Sequence, residues 1–249
     1  MIRPRGRNVL LMLALLLAAP AQAQADAPQP ACKLPDDIAL TGMDLPAVRA
    51  DVHSEHRLTI LAVGGASTAG TAVGGGAFAY PARLEAHLQT LLPGVAVTVI
   101  NRGRVAGRGR SRADLLASDL TEVKPDLVIW APGGRDAGVS EAPDVFAQSL
   151  EDGLGQIGAA GADTIFIDLQ YAPSIALVID LDQYNNAIAD VANAHDIPVL
   201  RRSELMRRWS EDGSFDLDHT PPANWVAVER HLFDCLSAGL AAGIAKATK

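Results

Sequence analysis

The chain has 249 residues, of which 49% are hydrophobic and 20% are charged, and its formal net charge is −8. This acidic balance argues against general nucleic-acid binding, because that activity needs a basic surface. The length fits a single domain with a large hydrophobic core.

The N-terminal segment, residues 1–25, has the pattern of a secretory signal peptide. Arg3, Arg5 and Arg7 precede an apolar run over residues 9–19, and two A-x-A cleavage sites follow. The run is shorter than the roughly 20 residues that span a bilayer, and no second run of this kind follows. The mature chain is therefore predicted to be periplasmic or secreted, without a membrane span, and more acidic than the precursor.

Cys32 and Cys235 are the only cysteines. An even number of cysteines in an oxidising compartment predicts one disulfide, and the alternative is two unrelated buried thiols. Two cysteines cannot form a structural zinc site by themselves, and neither CxxC nor HExxH occurs. We expect no metal and no other cofactor.

Five short apolar runs alternate with helical patterns after residue 55. Residues 26–55 are rich in Pro, Ala and Asp, which predicts an extended leader laid over a domain formed by residues 56–249. The predicted strands are 58–63, 95–100, 127–130, 164–169 and 197–200. The predicted helices are 82–92, 114–123, 145–157, 182–194, 203–209 and 224–247. This alternation predicts an α/β fold, a three-layer α/β/α sandwich with a parallel, flavodoxin-like five-stranded sheet.

Ser67 follows the first predicted strand, after the turn at Gly64 and Gly65. Open α/β sheets bind ligands at the carboxyl ends of their strands, so Ser67 is a candidate nucleophile. The glycines fit neither a P-loop, because no lysine follows, nor a dinucleotide-binding G-x-G-x-x-G. The α/β-hydrolase elbow G-x-S-x-G also fails, because Ala69 stands in its last position. The alternative role of Ser67 is to cap the following helix.

A serine needs a base to become a nucleophile, and a histidine oriented by a carboxylate is the usual solution. Asp216 stands three residues before His219 near the C-terminal end. Ser67, Asp216 and His219 therefore form a candidate triad. His231, which shares the last predicted helix with Asp234, is the alternative base. The other histidines are expected at surface or cap positions.

Two further loops follow predicted strands and carry unusual residues. Residues 101–112 include five arginines after position 101, and residues 133–136 read Gly-Gly-Arg-Asp. The arginines form a solvated loop by default, but the topology would bring them beside Ser67. On an acidic chain such a positive patch would favour an anionic ligand, for example an acidic glycan. Asp168, at the end of the fourth predicted strand, either lines the same pocket or caps a turn.

Together these motifs resemble the SGNH/GDSL hydrolase family over residues 58–244. Ser67 matches the nucleophile of the first block, although Gly-Ala-Ser stands here in place of Gly-Asp-Ser. Asp216 and His219 match the closing Asp-x-x-His. The resemblance implies that Gly107 is the second-block oxyanion donor, with a spacing one residue longer than is usual in the family.

The third block departs from the family pattern. It normally reads Gly-x-Asn-Asp, and here Arg135 stands in place of the oxyanion-hole asparagine. Gly134 and Arg135 are then the corresponding oxyanion or substrate residues. Arginine donates hydrogen bonds as well, but it is longer and charged, so its geometry differs from that of asparagine. The chain most resembles exported members with Tyr-Pro-x-Arg-Leu-Glu after the first block, here residues 80–85, and a cysteine in the last helix.

The resemblance implies an exported serine esterase or acyltransferase that acts on a small acyl ester, such as an O-acetyl group on a bacterial polysaccharide. The alternative, which Arg135 favours, is a catalytically weakened protein of the same fold that binds a glycan or an assembly partner. A lipid-ester or thioesterase specificity is disfavoured, because the site loops are rich in Gly and Arg rather than apolar.

Overall fold

The computed structural model describes residue 32 and residues 34–105, 112–216 and 219–249. The predicted signal peptide lies outside the described residues. Within the described ranges, no helix combines the length and the apolar composition needed to cross a membrane.

Five parallel strands form the central sheet, in the order β2-β1-β3-β4-β5. This is the flavodoxin-like order, with the first strand between the second and the third. The predicted parallel five-stranded sheet is therefore confirmed. The strands are β1 (Arg57–Gly64), β2 (Ala96–Gly103), β3 (Leu127–Ala131), β4 (Asp163–Ile167) and β5 (Val199–Leu200).

Helices precede, connect and follow these strands. The α-helices are α1 (Pro46–Ser54), α2 (Ala66–Ala69), α3 (Tyr80–Leu91), α4 (Arg112–Val123), α5 (Gly134–Gly138), α6 (Pro143–Ala159), α7 (Pro173–Ala176), α8 (Leu181–Ala194), α9 (Arg202–Glu211) and α10 (Trp225–Ala247). Two short 3-10 turns, Thr71–Val73 and Gly76–Phe78, lie between β1 and α3.

A layer of helices covers each face of the sheet. Helices α1, α3, α9 and α10 pack on one face, over residues that include Ile60 and Ile129. Helices α4, α6 and α8 pack on the other face, over residues that include Leu61 and Val128. Because alternate strand residues point to opposite faces, sequence neighbours such as Ile60 and Leu61 belong to different cores. This arrangement confirms the predicted three-layer sandwich.

The segment before β1 differs from the predicted extended leader. Residues 46–54 form α1, which starts at Pro46 and buries Val48 and Val52. The main-chain N–H of Val48 donates a 2.9 Å hydrogen bond to the Asp163 carboxylate of β4. The Val48 N–H, which has no partner within the first turn of α1, is therefore paired with a residue remote in the sequence. The segment does cover the domain, because its apolar side chains belong to the core beneath α10.

Two strand boundaries also differ from prediction. β2 continues through residues 101–103, which pair with residues 62–64 of β1, so Asn101 is a strand residue and does not open a loop. The apolar pattern stops earlier because β2 is an edge strand whose last residues are only half-buried, while its main-chain ladder continues. β4 ends at Ile167, which leaves Asp168 as the first residue after the strand.

Cys32 and Cys235 form the predicted disulfide. Their Cα atoms are 4.8 Å apart, and 203 positions separate them in the sequence. The bond joins the segment before α1 to the buried side of α10, since Cys235 is fully buried. The described part of the chain contains no free cysteine.

Candidate active site

The carboxyl ends of the strands meet at one edge of the sheet. Ser67 and Arg135 lie in segments that begin at that edge. Gly64 at the end of β1 pairs with Gly103 of β2 and with Ala131 of β3. Ser67 follows β1 at the start of α2, and Arg135 follows β3 within α5. Because β1 lies between β2 and β3, the carboxyl ends of those two strands flank the end of β1, which leads to Ser67.

Close backbone packing holds the helix that carries Ser67. A Cβ at Gly103 would lie 2.2 Å from the main-chain nitrogen of Ala69, so β2 can approach α2 only with glycine at this position. A Cβ at Gly64 would lie 2.2 Å from Thr68 Oγ1. The half-buried Ser67 is thus carried on a short helix pressed against the ends of two strands.

Asn101 connects the same two elements with its side chain. Its Nδ2 donates a 2.7 Å hydrogen bond to the carbonyl of Thr68, the residue after Ser67. Its Oδ1 accepts a 2.8 Å hydrogen bond from Gly103 N. Asn101 opens the Asn-Arg-Gly sequence of residues 101–103, but its contact with α2 is visible only in the structure.

The hydroxyl of Ser67 contacts a buried arginine that the motifs do not predict. Arg202 is the first residue of α9 and is 4% exposed. Its Nη1 donates a hydrogen bond of 3.4 Å to Ser67 Oγ, and its Nη2 donates one of 2.6 Å to the carbonyl of Asp168. In the sequence this position shows only the approach to a predicted helix, so no pattern could have identified it.

Asp168 caps the start of α9. Its carboxylate is buried, and Oδ1 accepts a 2.8 Å hydrogen bond from Ser203 N. Asp168 therefore caps a helix remote in the sequence and not the local turn that was one of its two predicted roles. Burial raises the pKa of Asp168 to about 7, although the Ser203 N–H and the charge of Arg202 lower it. Burial also lowers the pKa of Arg202, and the charge of Asp168 opposes this shift.

Asp216 and His219 form a pair. Oδ1 of Asp216 accepts a 2.7 Å hydrogen bond from His219 N and lies 3.2 Å from the ring Nδ1. With Nδ1–H donated to the carboxylate, Nε2 is the ring atom that can accept a proton. The His219 side chain is 86% exposed and that of Asp216 is 52% exposed. Among the residues that the structure describes, no hydrogen bond joins His219 to Ser67.

The third-block residues lie in α5, immediately after β3. Gly134 and Arg135 are exposed, whereas the adjacent Asp136 is buried. Arg135 makes no ion pair with any residue in the described ranges. The first N–H groups of a helix have no intrahelical partner, so the start of α5 presents donors at this edge. Gly107, the predicted second-block donor, lies outside the described residues.

The described arginines of the 101–112 loop do not form an uncompensated positive patch. Arg104 donates a bidentate pair of hydrogen bonds, of 2.7 and 2.8 Å, to the buried carboxylate of Asp119 in α4. Arg102 Nε lies 3.3 Å from the same carboxylate, and its Nη2 pairs with Glu122. Their charges are therefore balanced by α4. The later arginines of the run lie outside the residues whose side chains are described.

A pocket opens beside Asp216, between the loop after β4, α9 and the first turns of α10. Its apolar wall includes Tyr171, Met206, Trp225 and Leu232. Trp225 Nε1 donates a 2.9 Å hydrogen bond to the carbonyl of Thr220, which orients the indole. Glu229 is one of the polar groups of the wall. Burial raises the pKa of its carboxyl, and the hydrogen bond that Gln170 donates to it at 3.4 Å opposes this shift.

His231, the alternative base, lies beside the disulfide. Its Nε2 is 3.8 Å from Cys235 Sγ. The carboxylate of Asp234, its expected partner, accepts instead from Arg83 Nε at 2.9 Å and lies 3.1 Å from His87 Nε2. His231 therefore lies next to the covalent link between the N-terminal segment and α10.

The Tyr-Pro-x-Arg-Leu-Glu motif has a structural explanation. Glu85 Oε2 accepts a 2.7 Å hydrogen bond from Val99 N, which ties α3 to β2. Arg83 ties the same helix to α10 through Asp234. The motif therefore fixes α3 between the edge strand and the last helix.

Comparisons with known proteins identify a family and solved structures to which the chain is similar. A family model described as the Non-GDSL lipase-like family matches residues 31–249. The crystal structure of TesA superposes with a TM-score of 0.55 at 19% identity, over 73% of this chain and 97% of that chain. The lipase/acylhydrolase from Enterococcus faecalis gives 0.50 at 22% identity, over 71% and 95%. AlinE4, described as a SGNH-hydrolase family esterase, gives 0.49 at 22% identity, over 67% and 86%. A comparison with curated proteins gave no match.

Proposed function

The chain belongs to the Non-GDSL lipase-like family, and from that premise we propose that it is a serine ester hydrolase or acyltransferase of the SGNH type. Ser67 is the nucleophile, His219 is the general base and Asp216 orients the histidine. The observation that carries this assignment is the double hydrogen bond of Asp216 to the main chain and ring of His219, at 2.7 and 3.2 Å.

The reaction follows from these roles. Ser67 Oγ attacks the carbonyl carbon of the ester, and its proton passes to His219 Nε2. His219 then protonates the leaving alcohol, and water or a second alcohol releases the acyl group from Ser67. Direct transfer requires Nε2 to approach Oγ to about 3 Å, and catalytic hydrogen bonds commonly tighten only when substrate binds.

The oxyanion of the tetrahedral intermediate needs preorganised donors. We assign this role to Gly107, by the family resemblance, and to the N–H groups at Gly134 and Arg135 at the start of α5. One such donor is worth roughly 3–4 kcal/mol in the transition state. The Arg135 guanidinium adds a positive charge at the position where the family has a neutral amide.

The substrate that we propose is a small acyl ester, such as an O-acyl group on a polysaccharide outside the cytoplasm. Two observations support this choice. The Cys32–Cys235 disulfide suits an oxidising compartment. The pocket beside Asp216 offers an oriented indole, Trp225, next to the carboxylate of Glu229, which suits a neutral ring with hydroxyl donors. An anionic substituent would face Arg135 instead.

A second candidate function is a catalytically weakened protein of the same fold that binds a glycan or an assembly partner. It is favoured by the lack of a hydrogen bond between Ser67 and His219 among the described residues. The presence of Arg135 at the oxyanion position points the same way.

Labelling with a fluorophosphonate probe tests the proposal, because such probes react with activated serines. We expect the mature protein to be labelled, Ser67→Ala to be unlabelled, and His219→Ala and Asp216→Asn to be labelled far more slowly. The matched control is His195→Ala. His195 also contacts a carboxylate, with Nε2 2.5 Å from Glu151 Oε2, but it precedes β5 at the opposite edge of the sheet. An unlabelled wild-type protein would favour the second candidate.

A further inference from the structure

A buried cation lies directly beneath the candidate nucleophile. Arg202 is 4% exposed, and its guanidinium donates to Ser67 Oγ at 3.4 Å. Arginine is almost never fully buried unless it is paired, because removing its charge from water is costly. The charge of the buried Asp168 offsets part of this cost, but the hydrogen bonds of Arg202 go to the Asp168 carbonyl and to Ser67 Oγ. The contact with Ser67 therefore still calls for an explanation beyond packing.

The start of α9 does not supply that explanation. The N-terminus of a helix carries a partial positive charge, which disfavours a cation in the first turn and favours the carboxylate of Asp168 there. Arg202 Nε is buried and has no hydrogen-bond partner among the described residues. Stability alone does not require a charge at this position, because replacing buried ionic groups by apolar ones is often neutral or stabilising.

We propose that Arg202 is a positioning residue for Ser67, an inference that rests on the proposed function. Nη1–H occupies one lone pair of Oγ, so the Ser67 proton is directed away from α9 and into the cleft. When the Oγ–H bond breaks and the proton moves to His219 Nε2, the adjacent positive charge stabilises the negative charge that develops on Oγ. The second lone pair of Oγ then forms the bond to the ester carbonyl carbon.

The strongest competing explanation is structural, since Arg202 also ties the loop after β4 to α9 through the carbonyl of Asp168 at 2.6 Å. Such a role predicts lower stability in an Arg202 variant, but no change in the acidity of the atom at position 67. A test must therefore measure that acidity directly. It must also work if the protein is not a hydrolase.

Cysteine substitution at Ser67 provides such a test. The native cysteines are both in the disulfide, so the Ser67→Cys thiol is the one free thiol of the described chain. Its pKa can be measured from the pH dependence of iodoacetamide alkylation in the full mature protein. We expect adding Arg202→Met to Ser67→Cys to raise that pKa by about one pH unit or more, because an adjacent opposite charge lowers the pKa of an acid by about 1–3 units.

Arg201→Met is the matched control. Arg201 is the adjacent arginine, but it is exposed and pairs with Asp37. It should leave the thiol pKa unchanged. Arg202→Lys keeps the positive charge, so the thiol pKa should stay lowered by most of the same amount. This variant also provides the test if Arg202→Met does not fold. Folding of each variant is checked by circular dichroism.

Equal thiol pKa values with and without Arg202→Met would overturn the proposal. If Arg202→Met does not fold, Arg202→Lys is compared with the neutral variant Arg202→Gln. Equal thiol pKa values in that pair would overturn the proposal as well. In the Ser67 protein, Arg202→Met should slow fluorophosphonate labelling by about tenfold, equivalent to one pKa unit. If wild-type protein is unlabelled but the thiol pKa depends on Arg202, the proposed hydrolase fails while the electrostatic contact stands. If labelling occurs but the thiol pKa does not respond, the hydrolase stands and Arg202 is structural.

Discussion

Asn101 Nδ2 donates a 2.7 Å hydrogen bond to the carbonyl of Thr68, the residue that follows Ser67. The same side chain accepts a hydrogen bond from Gly103 N. One amide thus joins the last residues of β2 to the turn that carries the candidate nucleophile. Both halves of the amide are used, so neither an aspartate nor a hydrophobic residue can reproduce its contacts.

The variant Asn101→Asp should lose the donor and place a carboxylate against the Thr68 carbonyl. We expect the free energy of unfolding in urea to fall by about 1–3 kcal/mol. Labelling of Ser67 should slow as well, because α2 is no longer held in place. Asn186→Asp, on the exposed side of α8, is the control and should change stability by less than about 0.5 kcal/mol. A destabilised Asn101→Asp with wild-type labelling would show that this bond does not position Ser67.

Asp168 should make stability depend on pH. Burial raises its pKa from 3.8 to about 7, so the folded state binds this proton more tightly than the unfolded state. The contribution of this carboxyl to the free energy of unfolding therefore falls as the pH rises from about 4 to about 7. The total decrease over that range is on the order of 4 kcal/mol. Asp168→Asn keeps the acceptor for Ser203 N and should remove that part of the slope in urea unfolding.

The control for this measurement is Asp212→Asn. Asp212 accepts from Ser214 N at 2.8 Å in the same way as Asp168 accepts from Ser203 N, but it is exposed. Its replacement should leave the pH slope as it is in the wild type. Identical slopes for wild type and Asp168→Asn would contradict the assignment of an elevated pKa to this carboxyl.

Arg135 separates the two candidate functions. Because it is exposed and makes no ion pair in the described part of the chain, Arg135→Ala should change stability by less than about 0.5 kcal/mol. If the protein is an esterase, this variant should lose turnover of an acidic ester far more than of a small neutral ester. Arg135→Asn should raise turnover of the neutral ester. The catalytic proposal would be wrong if Arg135→Asn hydrolysed no ester while Ser67→Ala bound ligand as the wild type does. The protein would then be a binding protein with a hydrolase fold.

The disulfide should be a major source of stability. Closing a loop of this length removes conformational entropy from the unfolded chain, worth about 5 kcal/mol in the chain-entropy model. The double variant Cys32→Ala/Cys235→Ala should therefore unfold at a much lower urea concentration than the oxidised wild type. Reduced wild-type protein, with two thiols titrated, should behave like the variant. An unchanged midpoint after complete reduction would show that the bond adds no stability.

The sheet could be predicted because each buried strand is a short apolar run bounded by Gly or Pro. The edge strand was harder to delimit, since Asn101 joins the ladder through main-chain bonds that leave no apolar pattern. Helix α1 escaped prediction for a different reason. Its first turn is satisfied by the carboxylate of Asp163, and a partner so remote in sequence leaves no local signal.

The site was only partly predictable. The spacing of Asp216 and His219 indicated a pair, because three residues bring a carboxylate to a following ring in a tight turn, and the structure contains that pair. Their part in a triad with Ser67 stays a prediction. Arg202 could not be found, because its relation to Ser67 depends on the order of the strands and not on any motif. The arginine loop suggested a positive surface, but Asp119 and Glu122 lie in a separate helix and balance two of its charges.

The bond between Cys32 and Cys235 encloses all five strands in one covalent ring. A single cut in the peptide backbone between these cysteines therefore releases no fragment, because both pieces stay joined through sulfur. The two pieces would run as one species on a gel without reductant and separate only after reduction. Where proteases are present and reductants are scarce, the first nick would leave every strand tethered to its neighbours, and a second cut would be needed before any part of the sheet could diffuse away.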